Sequence, residues 1–265
     1  MEKRNINKVC AIFFDLDNTL IETRKADEQT CNKLLEILYK QFLLPRDSAK
    51  EICNKYLKLF RKCPENCSMG LHEWRQLLWA KALGENHQHL ANDIYVRWLE
   101  LRYKYLSIKA EIRSMLTFLS DKYLLALITN GTSNAQWEKI EKLNLKHFFD
   151  LILVSGDQPW EKPQPEIFLD ACDNLGIEPH QVIMVGDKLE TDILGGINSK
   201  LAANVWIPIE GQRLLDDDPA PDFILENVTE LVYLMAKINK PENPMVNRLQ
   251  VSDMEDCNSN GSDGS

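Results

Sequence analysis

Two hydrophobic rhythms alternate along the chain. Val9-Cys10-Ala11-Ile12-Phe13-Phe14 is an unbroken apolar run rich in β-favouring residues and reads as a strand buried on both faces. Four helical stretches follow it. Cys31, Leu34, Leu35, Leu38 and Phe42 keep a three-and-four spacing, and beyond Pro45 so do Ala49, Ile52, Cys53, Tyr56, Leu57 and Phe60. Leu71, Trp74, Leu77 and Leu78 form a third stripe; Leu90, Ile94, Trp98, Leu101 and Tyr105 form a fourth. Each stripe buries one helix face. Four of them with no strand between predict a small helical domain over 22–107, with its aromatic residues as core.

From Ile108 the rhythm changes. A helix with Ile112, Met115, Leu116 and Leu119 precedes a strand at Tyr123–Ile128, and a helix around Trp137 and Ile140 precedes Leu151–Val154. A helix with Phe168, Ala171, Cys172 and Leu175 leads to Val182–Val185, and one with Ile193, Leu194 and Ile197 leads to Ala203–Ile207. This alternation predicts an α/β fold, a doubly wound, Rossmann-like parallel sheet formed by 1–21 and 108–240 with the helical segment inserted. Pro208 to Asp222 reads as loop, with Asp216-Asp217-Asp218-Pro219 a solvated acidic turn, and Leu231, Leu234, Met235 and Ile238 suggest a closing helix. The composition of 241–265, dominated by Pro, Asn, Ser, Gly and acids, predicts a disordered polar tail.

Composition narrows the field. The 265 residues, 44% hydrophobic and 27% charged, are ordinary for a soluble protein with one medium core and a smaller inserted domain. A net charge of −9 argues against a nucleic-acid surface, though a small phosphorylated ligand needs only a local positive pocket. The N-terminus is charged and the apolar run behind it is too short for a signal or membrane segment. Seven cysteines, an odd count lying mostly in apolar stretches, read as reduced thiols of a cytoplasmic protein. Cys63, Cys67 and His72 find no fourth zinc ligand at a suitable spacing and read as loop residues. No feature calls for an obligate protein partner.

The chemistry gathers where strands end. The first strand stops at Asp15-Leu16-Asp17-Asn18-Thr19, two carboxylates that repel each other unless a cation lies between them. The second runs into Thr129-Asn130-Gly131, the fourth into Gly186-Asp187 with Glu190-Thr191-Asp192 beyond, and Lys162-Pro163 stands just ahead of a helix. Parallel strands present their C-terminal ends on one edge, so these groups can converge. Taken singly, each has a plain alternative: an acidic turn, a glycine turn, an exposed lysine, a helix-start acid.

Taken together and in order, they resemble the haloacid dehalogenase superfamily of aspartate-nucleophile phosphotransferases. The likeness spans roughly 9 to 240, with four motifs: Asp15, Asp17 and Thr19; Thr129; Lys162; and Gly186, Asp187 and Asp192. The helical insert looks like that superfamily's cap of the first type. The resemblance implies that Asp15 is the nucleophile, forming an aspartyl-phosphate. It further implies that Mg²⁺ binds a carboxylate oxygen of Asp15, the backbone carbonyl of Asp17, and Asp187. With its backbone on the metal, the Asp17 carboxyl is free to carry a proton for the leaving group and later to take one from water. Lys162 would place positive charge beside Asp15 and the phosphoryl group. Pro163 biases it toward an extended backbone. Leu16, the Thr129 hydroxyl and the Asn130 amide would hold phosphate oxygens. Gly131 permits the turn, and Thr19 and Asp192 would support the site from behind.

Several reactions share this scaffold. Halide needs no proton on leaving, so the acid at Asp17 would have no task in a dehalogenase; a sugar alkoxide does need one. Phosphoester hydrolysis is therefore expected, with a phosphomutase left open. A non-catalytic binding module would have lost one of Asp15, Asp17 or Lys162, and all are present. The core segments, from Phe13–Ile21 through Leu127–Gly131 and Glu161–Phe168 to Met184–Ile193, resemble the phosphatases of N-acylneuraminate 9-phosphate. That resemblance implies a small phosphorylated sugar acid as substrate, with phosphoglycolate or another sugar phosphate as the alternative. The sugar would be read by the insert, whose Arg24, Arg61, Arg75, Arg97 and Arg102 are candidates for its carboxylate.

Overall fold

The computed structural model describes residues 9–62 and 69–238. The charged N-terminus, the Cys63 and Cys67 pair and the polar tail lie outside the described residues.

Six strands form one parallel sheet: β1 (Ala11–Phe14), β2 (Leu124–Thr129), β3 (Leu151–Val154), β4 (Val182–Gly186), β5 (Ala203–Trp206) and β6 (Phe223–Ile224), in the order β3-β2-β1-β4-β5-β6. β1 lies at the centre, paired on both sides, with Phe14 opposite Leu127 of β2 and Val185 of β4. Successive side chains of a strand point to opposite faces, which accounts for the two apolar layers. Ile12, Phe14, Leu125, Leu127, Ile183 and Val185 pack with Ile112, Leu116 and Leu119 of α5 (Ala110–Ser120) and Leu231 and Met235 of α9 (Leu231–Ile238). Ala11, Phe13, Ala126, Ile128 and Met184 pack on the other side with Ile167, Phe168 and Ala171 of α7 (Pro165–Leu175). The α6 helix (Ser133–Lys142) follows β2, and α8 (Leu194–Asn198) follows β4 through one turn of π-helix at Leu189–Ile193. The β6 strand departs from the expectation of loop between 208 and 222 followed by helix: two residues beyond Asp222 pair with Val205 and Trp206.

Between β1 and β2 four helices pack on one another: α1 (Thr23–Lys40), α2 (Arg46–Lys62), α3 (Leu71–Leu83) and α4 (Ala91–Tyr105). They enclose an apolar cluster of their own, including Leu34, Leu38, Tyr56, Leu78, Trp79, Ile94 and Trp98. The Trp79 ring stacks on Tyr56 at 3.7 Å between centroids. Among the described residues Cys10, Cys31, Cys53 and Cys172 are free thiols, and no helix is long and apolar enough to cross a membrane.

Candidate active site

The end of β1 sets the site. The Asp15 amide donates to the Val185 carbonyl at 2.9 Å, continuing the ladder one residue past the strand. The chain then folds sharply back: Leu20 and Ile21 amides both donate to the Leu16 carbonyl, at 3.0 and 3.2 Å, and Asn18 adopts a φ of 65°. Asparagine tolerates that left-handed conformation better than most residues. This loop leaves Asp15 buried at the edge and turns Asp17 toward α6.

Lys162, 2% exposed, joins three strand ends. Its Nζ lies 2.7 Å from Asp15 Oδ1, 2.7 Å from Asp192 Oδ1, and donates to the Ile128 carbonyl of β2 at 2.7 Å. Burial alone would lower its pKa, but the two carboxylates outweigh it and hold the ammonium charged above the usual lysine value. The Asn130 side chain fixes the backbone from which Lys162 projects: Nδ2 donates to the Lys162 carbonyl at 2.8 Å, and the Lys162 amide donates to Asn130 Oδ1 at 3.0 Å. Asn130 thus spends its side chain on positioning Lys162, leaving its amide for a ligand.

Asp15, Asp187 and Asp192 each offer an oxygen within 4.8 Å of the others. Asp192, expected to orient the metal's waters or Lys162, lies in this cluster against Lys162. Its Oδ2 accepts from the Lys188 amide at 3.0 Å. A Cβ on Gly186 would fall 2.3 Å from Asp192 Oδ2, so only glycine lets the β4 end approach that carboxylate. Asp187 hangs on the core through its carbonyl, which accepts from Trp206 Nε1 at 2.9 Å. Its carboxylate is nearly unserved: Oδ2 meets Asn18 Nδ2 at 3.4 Å, and the buried Oδ1 has no partner. Burial first, then the neighbouring Asp15 and Asp192, push Asp187 up to about 8. Burial likewise raises Asp15 to about 6, against the pull of Lys162. Fully ionised, three carboxylates against one ammonium would carry a double negative charge, with one Asp187 oxygen orphaned. That donor set, all oxygen, fits a hard divalent cation. Asp15 and Asp187 would hold it.

The Asp17 carboxyl, expected to carry a proton, is held by three donors. Its Oδ1 accepts from the Thr23 hydroxyl, and its Oδ2 accepts from Gln136 Nε2 at 3.0 Å and from Lys139 Nζ. Burial acts to raise its pKa, but Lys139 and these donors hold the carboxyl well below the usual range. Burial in turn lowers Lys139. Gln136 also donates to Thr129 Oγ1 at 2.9 Å and to the Asn130 carbonyl at 2.6 Å. Thr129 therefore accepts from Gln136 and keeps its own proton to donate. Gly131, at φ 139°, closes the turn against Gln136, where a Cβ would lie 2.9 Å from Nε2; its amide donates to Ser155 Oγ at 3.0 Å. Thr19 Oγ1 reaches Asp15 Oδ2 at 3.4 Å.

Thr23, Gln136, Lys139 and Ser155 were not singled out from sequence. The signal for two of them was present: Gln136 and Lys139 share a helix face with Ile140, one turn beyond Thr129-Asn130-Gly131. Polar groups on an apolar face next to a site loop point inward for a reason.

A cleft of about 460 Å³ runs from Asp17, Asn130, Gln136 and Lys139 up to the inserted helices. Arg24, Arg61, Arg75 and Arg102 line it; Arg97 does not, being exposed and paired with Glu100.

Known proteins are similar to this chain over most of its length. The chain is 37% identical over 240 residues, 88% of its length, to the N-acylneuraminate-9-phosphatase of Rattus norvegicus, covering 96% of that protein. It is 26% identical, over 87% of its length and 98% of the relative's, to the glyceraldehyde 3-phosphate phosphatase of Methanopyrus kandleri. The solved structure of the HAD-hydrolase YfnB from Bacillus subtilis, bound to magnesium, superimposes with a TM-score of 0.61 at 20% identity, over 86% of this chain and 99% of that one. A family model of haloacid dehalogenase-like hydrolases matches residues 12–205, the span that carries every strand of the site, and the chain belongs to that family.

Proposed function

We propose that the protein is a Mg²⁺-dependent phosphomonoesterase acting through an aspartyl-phosphate, and that its substrate is an N-acylneuraminate 9-phosphate. The single observation that carries the chemistry is Lys162, held at 2.7 Å from both Asp15 and Asp192 beside an unpartnered Asp187 oxygen. An anionic nucleophile attacking an anionic phosphate needs its charge offset. When bound, Mg²⁺ supplies the positive charge that Lys162 alone cannot.

Asp15 Oδ attacks phosphorus in line; the P–O bond to the sugar breaks as the acyl phosphate forms. Thr129 Oγ1 and the amides of Leu16 and Asn130 hold the phosphoryl oxygens. Asp17 gives a proton to the departing alkoxide, then removes one from the water that hydrolyses the acyl phosphate. Its resting pairing with Lys139 keeps it ionised for the second task while weakening it as a base. For the first, the incoming phosphate raises the proton affinity of Asp17 by like-charge repulsion, working against Lys139. The two effects bracket the proton's movement at this one carboxyl.

The substrate assignment is supported by the identity to N-acylneuraminate-9-phosphatases, 35–37% in three mammals, and by a cleft of about 460 Å³ beyond the phosphate pocket, ample for a sugar acid. The glyceraldehyde 3-phosphate phosphatases offer a second reading, with a smaller substrate. Phosphate release should be followed from N-acylneuraminate 9-phosphate, glyceraldehyde 3-phosphate, phosphoglycolate and hexose 6-phosphates. The sialate ester is expected to lead in kcat/KM; tenfold preference for another ester, about 1.4 kcal/mol, overturns the assignment. Chelation should stop turnover and Ca²⁺ should restore it poorly, because its looser coordination misaligns the nucleophile.

A further inference from the structure

Two arginines of the inserted helices are buried in a way that stability does not explain. Arg75 of α3 is wholly buried and Arg102 of α4 is 2% exposed. Each spends one nitrogen on one carboxylate: Arg75 Nη1 on Glu138 at 2.7 Å, and Arg102 Nε on Asp27 at 2.9 Å. Arg75 Nε and Nη2 and Arg102 Nη1 are left without hydrogen-bond partners. A guanidinium offers five N–H donors, and a buried one left incompletely bonded costs free energy.

The two groups also share a platform. The Arg75 Cζ lies 5.9 Å from the Phe60 ring centre and 5.8 Å from that of Trp98; the Arg102 Cζ lies 5.4 and 5.3 Å from the same rings. Both residues, with Phe60, line the cleft that starts at Asp17 and Asn130. Two like charges on one aromatic surface, both lining one cleft and both with buried donors to spare, are complementary to an anion that opens the contact between them and the cleft. The catalytic edge already accounts for the phosphate, so this anion belongs to the remainder of the ligand.

We propose that Arg75 and Arg102 form a second anion site, which takes the carboxylate of the substrate while its phosphoryl group lies against Asp15. The inference rests on reading the chain as a sugar-acid phosphatase, and it identifies the groups that would set that specificity. Planar guanidinium donors match a carboxylate's two oxygens; an ammonium does not. Substrates lacking the carboxylate leave the donors unserved, which is how a polar site rejects them.

The test is a ratio of kcat/KM between matched esters with and without the carboxylate. N-acetylneuraminate 9-phosphate is paired with N-acetylmannosamine 6-phosphate, and 3-phosphoglycerate with glycerol 3-phosphate. Arg75→Lys and Arg102→Lys should each lower the acid-to-neutral ratio at least tenfold, through KM more than kcat. Glu138→Gln, which disturbs the ion pair and leaves both guanidiniums, should keep the ratio within threefold. A ratio unchanged in both lysine variants overturns the proposal, as does an equal fall in Glu138→Gln, which would mark a packing role. Wild-type protein gives a second reading: N-acetylneuraminate should inhibit at concentrations at least tenfold below its methyl ester, and equal inhibition overturns the site. If the sialate ester is not hydrolysed but 3-phosphoglycerate loses its advantage in Arg75→Lys, the substrate assignment falls and the anion site stands. If the sialate ester is hydrolysed with an untouched ratio, the anion site falls and the assignment stands.

Discussion

The catalytic edge and the inserted helices both bury charge, and they do it differently. At the edge, the Lys162 ammonium has two acceptors and a second carboxylate at 2.7 Å, and Asp17 has three donors. In the insert, Arg75 and Arg102 sit on aromatic rings with donors left over. On the proposed function, the first arrangement serves a phosphoryl group with its metal and the second serves the rest of the ligand. That reading separates chemistry from selectivity, and the molecule likewise has one apolar cluster under the sheet and one inside the helices.

That separation can be broken from either side. The largest effect is expected at the proposed nucleophile: Asp15→Asn keeps the side-chain volume, so phosphate release should fall on the order of 10⁴-fold or more while the circular dichroism spectrum is unchanged. Asp17→Asn removes the proton carrier and should cost about 10²–10⁴-fold in kcat, measured by steady-state phosphate release. On the other side, Trp79→Ala empties the stack with Tyr56 and should cost about 3–5 kcal/mol in denaturant unfolding. If the two clusters are independent, that loss appears as early melting of the helices with the sheet's transition retained. A single transition moved as a whole to lower denaturant would argue that they unfold together.

Smaller and sharper is the effect of pH on the metal-free protein. The folded values of Asp187, about 8, and Asp15, about 6, lie above the ordinary 3.8. The folded state therefore holds more protons than the unfolded chain between about pH 4 and 8, and stability falls as pH rises through that window. The depressed Asp17 acts only below it. The melting temperature without metal should drop on the order of 5 °C from pH 5 to pH 8. Mg²⁺, which favours the ionised carboxylates, should stabilise more at pH 8 than at pH 5. Least of all, Arg97→Ala should change stability by under about 0.5 kcal/mol and leave substrate preference alone, since Arg97 faces solvent.

The sheet was legible because its strands are continuous apolar runs, and the four amphipathic stripes stand out in the same way. β6 was not: Phe223 and Ile224 are too short to show a period, and only the edge of β5 makes them a strand. The residues at strand ends were legible as a set, because parallel topology brings one edge together whatever the spacing in sequence. Lys139 and Gln136 were hidden, since a polar residue on a helix looks the same whether it meets water or Asp17. The five arginines of the insert posed the same ambiguity in reverse. Arg97 solvates the outer surface, while Arg75 and Arg102 lie inside, and only packing distinguishes them.

Lys162 has one more consequence. Its three oxygen neighbours follow β1, belong to β2 and follow β4. Sliding β2 by a single residue against β1 would carry the Ile128 carbonyl about 3.3 Å along the strand and turn its side chains to the opposite layer. The ammonium would then be left buried and short of a partner. A correctly seated Lys162 is thus a gauge of strand alignment, readable only when three non-adjacent stretches of chain have settled together. A misaligned molecule would have no weakened version of this catalytic edge to fall back on, so activity in a refolded sample should count correctly aligned sheets.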